Sequence, residues 1–116
     1  MHRYIIISRT RVACGAVSDW HHHGTRHLYG FLEAGRMRLE HGEKGGSAVE
    51  VGRGDFFHIP PRLVHRDVNP DKEQELVVVN ILVGKGDPVI NVKSPKQGLR
   101  SKNPTGENDG SKGVLE

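Results

Sequence analysis

The 116-residue chain has the length of one domain, with room for a single modest core. Hydrophobic residues at 34% and a mean hydropathy of -0.55 keep that core small, while fifteen glycines and six prolines among short apolar runs speak for many short strands rather than long helices. The net charge of +3 is spread among acidic residues with few aromatics beside it, which disfavours a nucleic-acid surface; a single cysteine excludes an internal disulfide, and no apolar stretch is long enough to span a membrane, so the cytoplasm is the expected address.

Residues 2–8, with Tyr4 and three isoleucines, read as a first strand, and 11–17 as a second. Cys14 in the second is read as a buried, inert thiol. Residues 15–35 then carry the densest chemistry of the chain, with four of its eight histidines in seven positions. If 20–23 is extended, side chains alternate, so His21 and His23 share a face with alpha-carbons about 7 Å apart, near enough for two imidazoles to converge on one ion, and His22 points away. His27 follows a short turn at 24–26 and opens a strand over 27–33, from which a third imidazole can face the same centre. Tyr29 and Phe31 share its face and are expected to line the same cavity. A metal site is the first hypothesis.

Further on, 36–40 alternates as a half-exposed strand, 42–46 is the turn of a hairpin, 48–51 returns, and 52–55 turns again. Residues 56–59 form a short apolar strand stopped by Pro60 and Pro61. A strand over 63–68 carries His65, and Asn69-Pro70-Asp71 makes a turn. Residues 75–84 are the most apolar strand, expected to be buried on both faces, with Asn80 as its polar interior residue in need of a partner. A last short strand is placed at 88–92. The domain is set at 1–93, and 94–116, rich in Ser, Lys, Gly and Asn, is expected to be a flexible tail.

Roughly eight to ten short strands, a histidine cluster in the first third and a further histidine about forty residues on point to an all-β jelly-roll barrel with a metal inside. The sequence resembles a small single-domain cupin, whose barrel is a double-stranded β-helix. Its first motif is matched by Gly15, five residues, His21, one residue, His23, three residues and then His27, ending at the Ala34-Gly35 turn. Its second is matched by Gly54, five residues, Pro60, then His65 and, after three more, Asn69. Three positions depart: His27 stands where most cupins have glutamate, and Ala34 and Arg62 stand where glycine is usual.

The resemblance implies a site of four imidazoles, His21, His23, His27 and His65, as in the four-histidine subset of cupins, with one divalent transition metal. Imidazole suits Zn, Cu, Fe and Ni, and manganese occurs in similar cupins. Losing the carboxylate raises the charge of the site and favours a reduced redox metal and anionic ligands. Two positions stay open on a six-coordinate ion for a bidentate substrate, or for substrate and dioxygen. A cupin without metal is the alternative. His2, His22, His41 and His58 are read as structural, with His58 a candidate support of the ligands.

Two functions follow. One is a mononuclear metal-dependent oxidoreductase, dioxygenase-like, acting on a small organic molecule. The other is a non-catalytic module that holds a metal or a small ligand. No strong general base is visible beside the histidines, which disfavours isomerase or hydrolase chemistry. A homodimer, in which the barrel is completed by strand exchange, is expected from similar cupins. The barrel alone settles none of these, because one fold hosts many chemistries.

Overall fold

The computed structural model describes residues 4–95. Nine strands follow one another as β1 (Ile5–Val12), β2 (His21–His22), β3 (His27–Ala34), β4 (Met37–His41), β5 (Ser47–Val51), β6 (Phe56–Ile59), β7 (His65–Val68), β8 (Leu76–Val83) and β9 (Ile90–Asn91). They form two antiparallel sheets, ordered β1-β8-β3-β6 and β5-β4-β7-β2-β9. No helix occurs among the described residues.

The side-chain alternation of each strand decides what lies between the sheets. On β3, Leu28, Gly30 and Leu32 are buried while His27, Tyr29 and Phe31 face the other way. On β4, Met37, Leu39 and His41 point inward. On β8, Leu76, Val78, Asn80 and Leu82 do so. One end of the sandwich is packed solid around Leu32, Leu39, Val51 and Leu76, and the other end opens into a cavity. Gly30 is required on the inner face, because a Cβ there would drive into the Phe57 ring.

Several sequence expectations move. Residues 11–17 are not a second strand: β1 runs on through Val12, and the chain turns at Cys14 and Gly15, the latter at φ 70°. Cys14 is exposed there, not buried. The outer face of β8 is only partly covered: Val77 is buried there, but Ile81 is 38% exposed. β1 pairs with β8 of its own chain over Ile5↔Val83 to Val12↔Leu76, so a partner's strand is not needed to complete this sheet. The tail placed at 94–116 lies, beyond Ser94 and Pro95, outside the described residues.

The motif positions have structural work. Asn69, 1% exposed, donates from Nδ2 to the carbonyls of Val12, Ala13 and Gln74, and its Oδ1 accepts from the amide of Asp71. It thereby ties the turn after β1 to the turn before β8. Gly35, at φ 80°, makes the β3–β4 turn that Ala34 leaves to it. Arg62 adopts φ 63° where glycine is usual, and its amide donates to the Gly24 carbonyl at 2.8 Å.

Candidate metal centre

The pairing of β2 with β7 brings the histidines together. His21 on β2 lies directly opposite His65 on β7, and His23 follows two residues on, on the same face. The potential ligand atoms of His21, His23 and His65 all lie within 4.8 Å of one another. All three residues are buried, at 8%, 4% and 2% exposure.

Each ring is held by the same device. His21 Nδ1 donates to the Asp19 carbonyl at 2.7 Å, His23 Nδ1 to the Pro88 carbonyl at 2.7 Å, and His65 Nδ1 to the Leu63 carbonyl at 2.9 Å. A carbonyl can only accept, so every Nδ1 carries the proton and every Nε2 is left with a lone pair. His23 Nε2 is buried without a hydrogen-bond partner. An imidazole whose outer nitrogen is tied to a carbonyl while the inner one is orphaned is how metal-binding histidines are oriented. The residues present therefore fit a divalent transition metal.

Electrostatics agree. Burial lowers the His23 pKa to about 4, with His21 and His22 adding to the effect and the Pro88 hydrogen bond opposing it. Burial, then the neighbouring His21 and His23, hold His65 well below its ordinary value. Both rings are thus neutral near pH 7, the form that ligates.

His27, expected as the fourth ligand, is placed elsewhere. The turn at 24–26 puts it on β3 with its side chain on the outer face of the sheet, where Nδ1 lies 2.9 Å from Nε2 of His58. The inward position next to it is Leu28. Tyr29 and Phe31 share the outer face with His27, so they are not cavity walls; Tyr29 stacks on His58 at 4.8 Å and is 44% exposed. His58 supports His27 rather than the buried trio.

Two groups near the trio were not placed at the site from the sequence. Asp67 is two residues beyond His65 on β7, hence on the same inner face, and lines the cavity with the trio. Burial raises its pKa and the neighbouring His21 opposes the rise. Strand alternation from His65 would have found it. His41, read as structural, is His65's cross-strand neighbour on β4, 1% exposed, with neither ring nitrogen hydrogen-bonded among the described residues. Burial lowers its pKa too.

The cavity measures about 390 Å³, within the range of small-molecule sites. Its walls are apolar, from Ile6, Leu28, Phe57, Val78 and Leu82, and the three histidines and Asp67 stand together on the β2–β7 side.

The model of the cupin domain matches residues 8–82, which span both motifs and all three converging histidines. The chain belongs to the cupin family. No curated protein matches this cupin by sequence. Among solved structures it is similar to a conserved protein with a double-stranded β-helix domain from Klebsiella pneumoniae, at TM-score 0.67 and 14% identity over 78% of this chain and 76% of that one. Oxalate oxidase in complex with the substrate analogue glycolate is similar at TM-score 0.65 and 22% identity, over 77% of this chain and 46% of that one. A polyketide cyclase from Streptomyces resistomycificus is similar at TM-score 0.63 and 22% identity, over 80% of this chain and 66% of that one. This cupin thus spans less than half of the oxalate oxidase chain.

Proposed function

We propose that this cupin is a mononuclear metal-dependent oxidoreductase, dioxygenase-like, acting on a small organic molecule held in the barrel. The observation that carries the reading is the convergence of His21, His23 and His65, each fixed by a carbonyl, at the polar side of an otherwise apolar cavity. A bound transition metal would supply Lewis acidity and, for a redox ion, electron transfer. The apolar walls suit the hydrocarbon part of a substrate, and the carboxyl of Asp67 stands on the histidine side, where it can take or give a proton. The similarity to oxalate oxidase supports the oxidoreductase class.

The test is elemental analysis of protein purified without chelator or nickel resin, followed by oxygen-uptake assays with manganese, iron or copper over a panel of small oxygenase substrates. One equivalent of a redox metal and metal-dependent uptake is the expected result. Zinc alone with no uptake would overturn the oxidoreductase in favour of the ligand-holding module, a reading that the absence of a fourth inward ligand at Leu28 favours.

We also infer that the chain pairs with a second copy of itself through the outer face of the β1-β8-β3-β6 sheet. One row across that face is His58, Tyr29, Ile81 and Ile7, and the next holds Phe56, Phe31 and Val79. Ile5, Ile7, Tyr29, Phe56 and Ile81 are 55%, 68%, 44%, 65% and 38% exposed. At ~200 Å² for a fully exposed large side chain, they present on the order of 500 Å² of apolar surface. With the half-buried Phe31, Val79 and Val83 added, the patch approaches the ~800 Å² that each partner gives to a stable interface. The Arg9–Glu33 and Arg11–Glu75 pairs, both at 2.9 Å, provide a polar rim of both signs that can meet its own copy across a two-fold axis.

A further inference from the structure

The cavity has a second polar end, on the sheet opposite the histidines. Asn80 on β8 is the direct cross-strand partner of Ser8 on β1, and Thr10 is the next inward residue along β1. The Nδ2 of Asn80 donates to Thr10 Oγ1 at 2.9 Å and to Ser8 Oγ at 3.4 Å. All three residues line the cavity; Asn80 is 9% exposed, while Ser8 and Thr10 are exposed. Asn80 is therefore the most buried of the three.

The inventory of donors decides what this cluster can read. Both amide hydrogens are committed to hydroxyl oxygens, so the Ser8 and Thr10 protons must be directed elsewhere. Asn80 Oδ1 receives no hydrogen bond from the described residues and keeps its lone pairs. The cluster offers two O–H donors and one carbonyl acceptor, set in apolar walls. A ligand hydroxyl, which both donates and accepts, satisfies it. A ligand carboxylate does not: no Lys or Arg of the described residues lines the cavity. Burying a carboxylate at this end, with no cationic side chain beside it, is costly.

We propose that Ser8, Thr10 and Asn80 form the distal anchor of the ligand site, selecting a small, mainly apolar molecule with a chelating oxygen group at one end and an uncharged hydroxyl at the other. The inference rests on the metal reading above, since the histidine end supplies the first anchor. It goes beyond that reading in assigning the substrate class, and it sets this cupin apart from an enzyme built for a small dicarboxylate.

Three probes that share one chelating group test it. The full-length zinc-loaded protein is titrated calorimetrically with benzohydroxamic acid and with its 4-hydroxy and 4-carboxy derivatives. The 4-hydroxy compound is expected to bind about tenfold tighter than the parent and the 4-carboxy compound about tenfold weaker. In a Ser8→Ala, Thr10→Val double variant, bound zinc and parent affinity should be unchanged and the 4-hydroxy advantage lost. If that variant fails to fold, Thr10→Val alone, on an exposed edge strand, should lose a substantial part of the advantage. Equal binding of the three probes, or an advantage that survives in the variants, overturns the distal anchor and leaves the metal site standing. Absence of bound zinc together with no binding of any probe overturns the metal reading and this inference with it.

Discussion

His21 and His65 face each other across β2 and β7 with ring centroids 4.3 Å apart, and each donates from Nδ1 to the carbonyl two residues before it, Asp19 and Leu63. The same local turn of backbone thus presets both rings, leaving Nε2 of each aimed inward before any ligand arrives. This preorganisation separates the trio from His27, which is as rich in contacts but on the wrong side of β3. His65→Ala should therefore abolish stoichiometric metal binding, whereas His27→Ala should retain it. Metal content by mass spectrometry after gel filtration checks both; loss of metal in His27→Ala would restore a four-histidine centre.

Acid should destabilise the metal-free protein through the same rings. His23 titrates at about 4 in the folded chain because burial penalises its charged form, and at the ordinary 6.5 when unfolded. Between those values the unfolded chain binds the extra proton, so stability is full above pH 6.5 and falls as pH drops towards 4. For His23 alone the loss is about 3 kcal/mol. His65 shifts in the same direction and steepens the fall. Urea midpoints of chelator-treated protein from pH 7.5 to 4 measure this, and His23→Gln should flatten part of the slope. A wild-type profile with no slope would contradict buried neutral imidazoles.

Most of the barrel was legible because strand alternation and turn residues are local. The turns at 42–46 and 52–55, the strand at 56–59, and the shared face of His21 and His23 need only neighbouring residues to be read. What was not legible depends on where a strand's phase is reset. His27 follows a turn whose geometry, with Gly24 at φ 61° and Arg26 donating its amide to the His23 carbonyl, turns the next side chain outward and brings Leu28 in. The phase error carried Tyr29 and Phe31 with it. Asp67 was missed for the opposite reason: its inward phase follows from His65 two residues before it, but that strand face was read for its histidine alone. Cys14 was read as strand when it sits in the turn that Asn69 organises from the far end of the domain, a contact separated by over fifty residues.

Arg62 offers a stability test of the motif itself. Its φ of 63° lies in the left-handed region, which costs a side-chain-bearing residue about 1–2 kcal/mol. Glycine there relieves that strain, and the greater freedom it gives the unfolded chain takes back about 0.5–1 kcal/mol. Arg62→Gly should therefore raise stability by roughly 0.5–1 kcal/mol, since the side chain is exposed and the amide hydrogen bond to Gly24 is kept. Thermal unfolding should show a rise of a few degrees; a fall would mean that the arginine side chain makes a contribution larger than its strain.

The outer sheet face gives the last prediction. Ile7 and Phe56, at 68% and 65% exposure, stand on opposite edge strands of the β1-β8-β3-β6 sheet and bracket the apolar patch. Each is too exposed for its replacement to empty the core, so a charged residue at either acts on association before it acts on folding. Burying a lysine against Tyr29 and Ile81 of a second copy would leave its ammonium desolvated without a partner, a cost well beyond the contribution of one side chain to an interface. Ile7→Lys and Phe56→Lys should therefore shift the protein from dimer to monomer in sedimentation velocity, by at least a hundredfold in the dissociation constant at about 3 kcal/mol lost, with the circular dichroism of the barrel unchanged. A wild-type protein that sediments as a monomer at micromolar concentration, or variants that remain dimeric, would rule out this face as the interface.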